Sequence, residues 1–361
     1  MQDNFSYSEL LNNLIFTLVK ETGSDIHMVS GMSPAVRIHG ELITIAKVPK
    51  LKPTDTVAIL REMIDDEKYK QFLEKQQVDF SYVHNNEYRL RGHAFFQMGT
   101  VALVLRLIPK VKSIQDLNLP PAIYEIAKKD QGFFLVVGPV GQGKSTTLAA
   151  MINEINKNEK RMITTIEDPI EYIHESDKSY IMQREIGYDA PSAAIALEAA
   201  FRQDVDVILV GEMRDNDTIR TAVTAAETGH LVFSTLHTNS ASQTIDRIID
   251  SFASNQQDQV RTQLAASLIG VFSQRLVPKI GGGLIPIYEL MLVNSAVQNL
   301  IREKRTHEID NIIDTGMTSG MISFDRCLSD AVLRGDIALD EAVRVAKNPK
   351  LFDQLIDNYE V

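Results

Sequence analysis

Residues 133–145 read Phe133-Phe134-Leu135-Val136-Val137-Gly138-Pro139-Val140-Gly141-Gln142-Gly143-Lys144-Ser145. An unbroken apolar run stops at a glycine, a G-x-x-x-x-G-K-S string follows, and residues 146–155 have helical character. Strand, phosphate loop, helix is the order a Walker A motif requires. Each part has a physical duty. The strand fixes where the loop begins. Gly138, Gly141 and Gly143 let backbone N–H groups turn onto an anion with no side chain in the way. The positive end of the following helix faces the same anion. Lys144 can reach β- and γ-phosphate oxygens, and Ser145 can ligate Mg²⁺. Gly138, Pro139, Val140, Gly141, Gln142, Gly143, Lys144, Ser145 and Thr146 are therefore the expected nucleotide-binding residues. An ordinary glycine-rich turn would not combine this spacing with Lys-Ser between a strand and a helix.

Around this motif the chain alternates strands and helices. Residues 162–166 end at Glu167-Asp168-Pro169, residues 207–210 at Gly211-Glu212, and residues 231–235 at Leu236-His237. Helices are expected over 192–202 and 215–227. Such alternation predicts a mostly parallel sheet flanked by helices, with ligands at the carboxyl ends of the strands. All four polar clusters fall at those ends. Beyond Ala241 the pattern is largely helical, with Gly281-Gly282-Gly283 joining two strands.

Three of these strand ends carry the expected catalytic groups. Val207-Ile208-Leu209-Val210-Gly211-Glu212 resembles a Walker B strand, with its carboxylate one residue late. Glu212 can bind Mg²⁺ or orient the attacking water. Glu167, Asp168 and Glu171 would repel one another beside a phosphate site, which argues for a cation there. Glu167 is the candidate to polarise the lytic water. His230 and His237 bracket the last strand, and either imidazole could donate to an oxyanion. Phosphoryl transfer also calls for further cations.

Upstream, apolar residues at Leu10, Leu11, Leu14, Ile15, Leu18 and Val19 predict a helix over 5–20. Strands are expected near 26–29, 35–38, 41–45, 78–83, 88–96 and 101–108, with a helix over 55–64. This describes a small α+β domain, and the proline-containing stretch after it reads as a linker. The chain has 361 residues, enough for two or three domains. Its net charge of −11 makes nucleic acid a poor expected partner. The single cysteine, Cys327, excludes an internal disulfide and fits a reducing cytosol. Met1-Gln2-Asp3-Asn4 lacks the basic and apolar regions of a signal peptide. No stretch approaches about 18 uninterrupted apolar residues, so no direct membrane insertion is expected.

Taken in order, these strings resemble the secretion ATPase superfamily, and within it the PilT family of type IV pilus retraction ATPases. Gly23-Ser24-Asp25-Ile26-His27 looks like that family's early motif, and 138–145 like its Walker A. Residues 166–171 look like its Asp box, 206–215 like its Walker B and 224–237 like its His box. Asn299-Leu300-Ile301-Arg302-Glu303 resembles its C-terminal retraction motif.

The resemblance implies an α/β protein. An N-terminal PAS-like α+β domain would span 1–108 and a linker 109–121. A RecA-like P-loop ATPase domain, with a largely parallel sheet and a helical C-terminal part, would span 122–361. It further implies a homohexamer binding ATP and Mg²⁺ between the domains. Such a ring works in the cytoplasm, against an inner-membrane platform protein at the pilus base, and drives twitching motility. By the same analogy Arg91 and Arg106 reach the phosphates, and Glu167 and Glu212 share water activation and metal binding; His230 and His237 join them as catalytic candidates, one of which could contact the γ-phosphate.

The chain departs from the family pattern at Val205, where proline is usual, at Val297-Gln298, where Ile-Arg is usual, and at Val140 and Gln142 in the loop. The alternatives are a pilus extension or type II secretion ATPase, a non-hydrolysing accessory subunit and a nucleic-acid translocase. Extension ATPases usually carry a four-cysteine zinc insertion, against one cysteine here. Intact Lys144, Glu167, Glu212 and both histidines disfavour the accessory subunit, and the acidic charge disfavours the translocase.

Overall fold

The computed structural model describes residues 7–38, 40–85 and 87–357. The chain divides into two compact units between Lys110 and Val111.

In the first unit the helix Tyr7–Lys20 buries Leu10, Leu11, Leu14, Ile15 and Leu18 on one face. The start expected at Phe5 lies outside the described residues. Six strands form one antiparallel sheet: β1 (Asp25–Val29), β2 (Ala35–Ile38), β3 (Glu41–Thr44), β4 (Gln77–His84), β5 (Tyr88–Gln97) and β6 (Thr100–Ile108). Their spatial order is β3-β2-β1-β6-β5-β4. β4 alternates exposed and buried residues, as a sheet with one covered face should. The helices Pro53–Met63 and Asp66–Lys75 accompany the sheet. The second was not expected from the sequence, because Phe72 is its only buried residue and it shows no apolar stripe.

The second unit holds a seven-stranded sheet: β7 (Gly132–Val137), β8 (Met162–Glu167), β9 (Tyr180–Glu185), β10 (Val207–Val210), β11 (Leu231–Leu236), β12 (Leu268–Pro278) and β13 (Leu284–Leu292). The order is β13-β12-β7-β11-β10-β8-β9. Every neighbouring pair is parallel except β12 and β13. Both faces of this sheet are covered, which explains why β7 is apolar at every position. Phe133, Leu135 and Val137 pack into one core with residues of the helices Asn216–Glu227, Ala241–Asp250 and Ser254–Ser267. Phe134 and Val136 pack into the other with Leu148, Met151 and Ile152 of the helix Lys144–Asn158.

Ile114 and Leu119, within the stretch expected as a linker, are buried in that second core. The region beyond Ala241 is less helical than expected: β12 and β13 are long, and β12 joins the sheet beside β7. The three glycines turn between them, all with positive φ. The helices Phe324–Leu333 and Pro349–Asp357 close a small core of their own against β12 and β13.

Candidate nucleotide site

The carboxyl ends of β7, β8, β10 and β11 open into a cleft of about 780 Å³. The loop after β7 forms one wall, and β12 shapes that loop. Gly138 adopts φ +147°, and a Cβ there would lie 2.3 Å from the carbonyl oxygen of Gln274. Only glycine lets the loop pass so near the neighbouring strand. The Gln274 side-chain amide donates to the Gln142 carbonyl, its Oε1 accepts from Thr147 Oγ1 at 2.7 Å, and Leu276 N–H donates to Gln142 Oε1 at 2.7 Å. On the other side Thr146 Oγ1 meets the Tyr172 hydroxyl at 2.7 Å.

Lys144 is buried at the start of its helix. Its ammonium donates to the carbonyls of Gly138 and Pro139 at 2.8 and 2.9 Å, and to Nδ1 of His237 at 3.2 Å. Burial lowers its pKa from the ordinary lysine value, with the Glu212 and Glu171 carboxylates opposing the shift. Since lysine is a pure donor, His237 Nδ1 accepts and the ring proton resides on Nε2. Nε2 stands 2.9 Å from Glu212 Oε1. Glu212 Oε2 accepts from Arg214 Nε at 2.9 Å, and Arg214 Nη1 donates to Asp168 Oδ2 at 3.0 Å. A continuous polar chain thus runs Lys144, His237, Glu212, Arg214, Asp168 across the strand ends.

Glu167 ends β8 one strand away. Burial pushes its pKa above the ordinary carboxylate value. Three donors partly oppose this: Thr165 Oγ1 at 2.7 Å, Glu171 N–H at 3.2 Å and Gln183 Nε2 at 3.4 Å. His174 also lines the cleft. Burial pushes its pKa down to about 4, so the ring is neutral near pH 7.

Lys144, Ser145, Thr146, Glu167, Glu212 and His237 therefore share one cleft. His230 does not line it. It precedes β11 at the opposite edge of the sheet, roughly 20 Å of strand from His237 at about 3.3 Å per residue. There its Nδ1 donates to the Ala225 carbonyl at 2.9 Å and its ring meets Phe201 edge-on. Residues flanking one strand lie at opposite ends of it, so of the two candidate histidines this cleft takes in His237 and not His230. Arg91 and Arg106 lie in the first unit, paired in register on β5 and β6. Arg106 Nε donates to Asp25 Oδ1 at 2.8 Å.

Sequence reasoning missed Gln274, Gln183 and Tyr172, whose contacts come from distant strands and loops. Arg214 had a local signal, since it lies two residues after Glu212.

The residues present fit both a nucleotide and its metal. The loop that a Cβ would obstruct, the buried cation and the helix start suit a polyphosphate. The Ser145 hydroxyl and Glu212 carboxylate are the hard oxygen donors Mg²⁺ takes. No group of three His, Cys, Asp or Glu among the described residues could hold a metal alone.

A parallel sheet with this loop and these acidic strand ends defines a RecA-like P-loop ATPase. The family model described as "Type II/IV secretion system protein" matches residues 1–283. The type IV pilus retraction ATPase PilT of Pseudomonas aeruginosa is 41% identical over 343 residues, covering 95% of this chain and 99% of that protein. A twitching motility protein of Neisseria gonorrhoeae is 43% identical over 338 residues, covering 93% and 90%. The crystal structure of the pilus retraction motor PilT with bound ADP matches with a TM-score of 0.89 at 43% identity, over 95% of this chain and 98% of that one. The chain belongs to the type II/IV secretion ATPase family, in its pilus-retraction branch, the PilT family.

Proposed function

We propose that this chain is an ATP-hydrolysing motor that retracts a type IV pilus. The observation that carries the reading is the convergence of Lys144, Glu212 and His237 within hydrogen-bond reach at the carboxyl ends of three neighbouring strands. The similarity to retraction ATPases over nearly the whole chain supports it.

Lys144 and the loop N–H groups bind the β- and γ-phosphates. Ser145 and Glu212 would hold Mg²⁺, which would supply charge neutralisation on the phosphates. Glu167, made more basic by burial, orients the attacking water and takes its proton. His237, bonded to both Lys144 and Glu212, reads whether the γ-phosphate is present. Arg91 and Arg106 supply the remaining cations. The working form is a homohexamer in the cytoplasm, bound peripherally to an inner-membrane platform protein at the pilus base. No helix among the described residues is long and apolar enough to cross a membrane.

The test is complementation of a retraction-deficient strain. The parent chain should restore twitching, and Glu212→Ala, expressed at the same level, should not. Restored pilus assembly without twitching would favour an extension ATPase and contradict the proposal.

A further inference from the structure

We infer that the ion pair between Lys347, at the surface, and the buried Glu289 positions the loop carrying His237, making Lys347 and Asn348 determinants of turnover. The inference rests on reading the cleft as an ATP-hydrolysing site.

After β11, His237-Thr238-Asn239-Ser240 leads into the helix Ala241–Asp250. Ser273 and Glu289, a register pair on β12 and β13, grip this turn from both sides. Ser273 Oγ donates to the Asn239 carbonyl at 2.9 Å, and Glu289 Oε1 accepts from Ala241 N–H at 2.8 Å. Glu289 thereby satisfies a first-turn N–H of the helix, and its charge suits the positive helix end. The Thr238 and Thr244 hydroxyls meet at 2.7 Å, and Ser240 caps Gln243 N–H. The turn after His237 is thus bonded to both β12 and β13.

Glu289 is nearly sealed, its side chain 7% exposed, and Oε2 pairs with Lys347 Nζ at 3.0 Å. The ammonium also sits 4.9 Å from the centre of the Phe324 ring. Lys347 and Asn348 donate their backbone N–H groups to the two oxygens of Asp325 at 2.7 and 2.8 Å. Asp325, on the helix Phe324–Leu333, thus aims Lys347 at Glu289. In turn, Glu289 fixes the helix that follows His237. Removing Lys347 leaves the buried Glu289 carboxylate without its cation. A lone Glu289 carboxylate would draw in water or shift, releasing Ala241. His237 would then lose its setting against Glu212, and misplacements of about 1 Å cost up to about a hundredfold in rate. Neither Lys347 nor Glu289 lines the cleft, so both are positioning residues.

The test measures kcat and KM for ATP, with thermal unfolding, on the full chain carrying Lys347→Met, Lys347→Arg or Glu289→Gln. Each is also made in a His237→Ala background. Lys347→Met and Glu289→Gln should lower kcat roughly three- to thirtyfold and leave KM within about twofold, because the phosphate loop is untouched. Lys347→Arg should restore the rate. In the His237→Ala background the same substitutions should lower kcat no further. An unchanged kcat in a folded variant, or an equal fall with and without His237, overturns the inference. Should Lys347→Met not fold, Glu289→Gln decides, since its amide keeps the size of the side chain but loses the ion pair that turns its oxygen toward Ala241. A parent chain that hydrolyses no ATP sinks the underlying reading, and the inference with it.

Discussion

Glu167 illustrates a residue whose surroundings oppose its charge. Its folded-state pKa is raised by burial, so the folded chain binds this proton more tightly than the unfolded chain does. The stabilising contribution is present below the ordinary carboxylate range and is lost as pH rises through the raised value. At pH 7 the ionised carboxylate therefore costs stability. Glu167→Gln should unfold at higher urea than the parent at pH 7, with the gap closing toward pH 4, while turnover falls at least about a hundredfold. A variant less stable than the parent at pH 7 would contradict this account of Glu167. Lys144, Glu167, Glu212 and His237 were legible in the sequence because each adjoins a strand end or the glycine string. Gln183 and Gln274 were not, since their roles consist of contacts with Glu167 and the phosphate loop that only folding creates. Which of His230 and His237 enters the cleft was not legible, because a histidine at either end of a strand looks the same in one dimension.

At the scale of elements, β12 links the two halves of the cleft. Gln274 holds the phosphate loop, and Ser273 next to it holds the turn after His237. Gly138→Ala would force a Cβ onto the Gln274 carbonyl at a backbone angle that side chains rarely adopt. Its expected cost is at least about 2 kcal/mol, with loss of ATP binding, read by denaturant unfolding and nucleotide titration. A variant that binds ATP like the parent would show that β12 does not shape the loop. β7 and β10 were readable as apolar runs because helices cover both sheet faces, and β8 and β11, which carry buried Thr164, Thr165, Ser234 and Thr235, by the polar clusters at their ends. β9, reading Tyr180-Ile181-Met182-Gln183-Arg184-Glu185, has no fully buried residue and no such run, so it went unseen at the sheet edge. The Gly281-Gly282-Gly283 turn marked a strand pair, yet nothing local announced that β12 would dock beside β7.

For the whole molecule, the two compact units divide the expected machinery. The second holds the phosphate loop and the acidic strand ends, and the first holds Arg91 and Arg106. Arg91→Ala should therefore lower kcat tenfold or more at about unchanged unfolding temperature, an effect of the size a missing transition-state cation produces. An unaltered kcat would remove Arg91 from the machinery. The central claim is that this chain splits ATP held by Lys144 at the carboxyl edge of its parallel sheet. Phosphate release by the purified full chain at saturating Mg-ATP, set against Lys144→Ala, tests it most directly. The account predicts steady release by the parent and a loss of at least about a hundredfold in the variant. Equal release from the two proteins would contradict it.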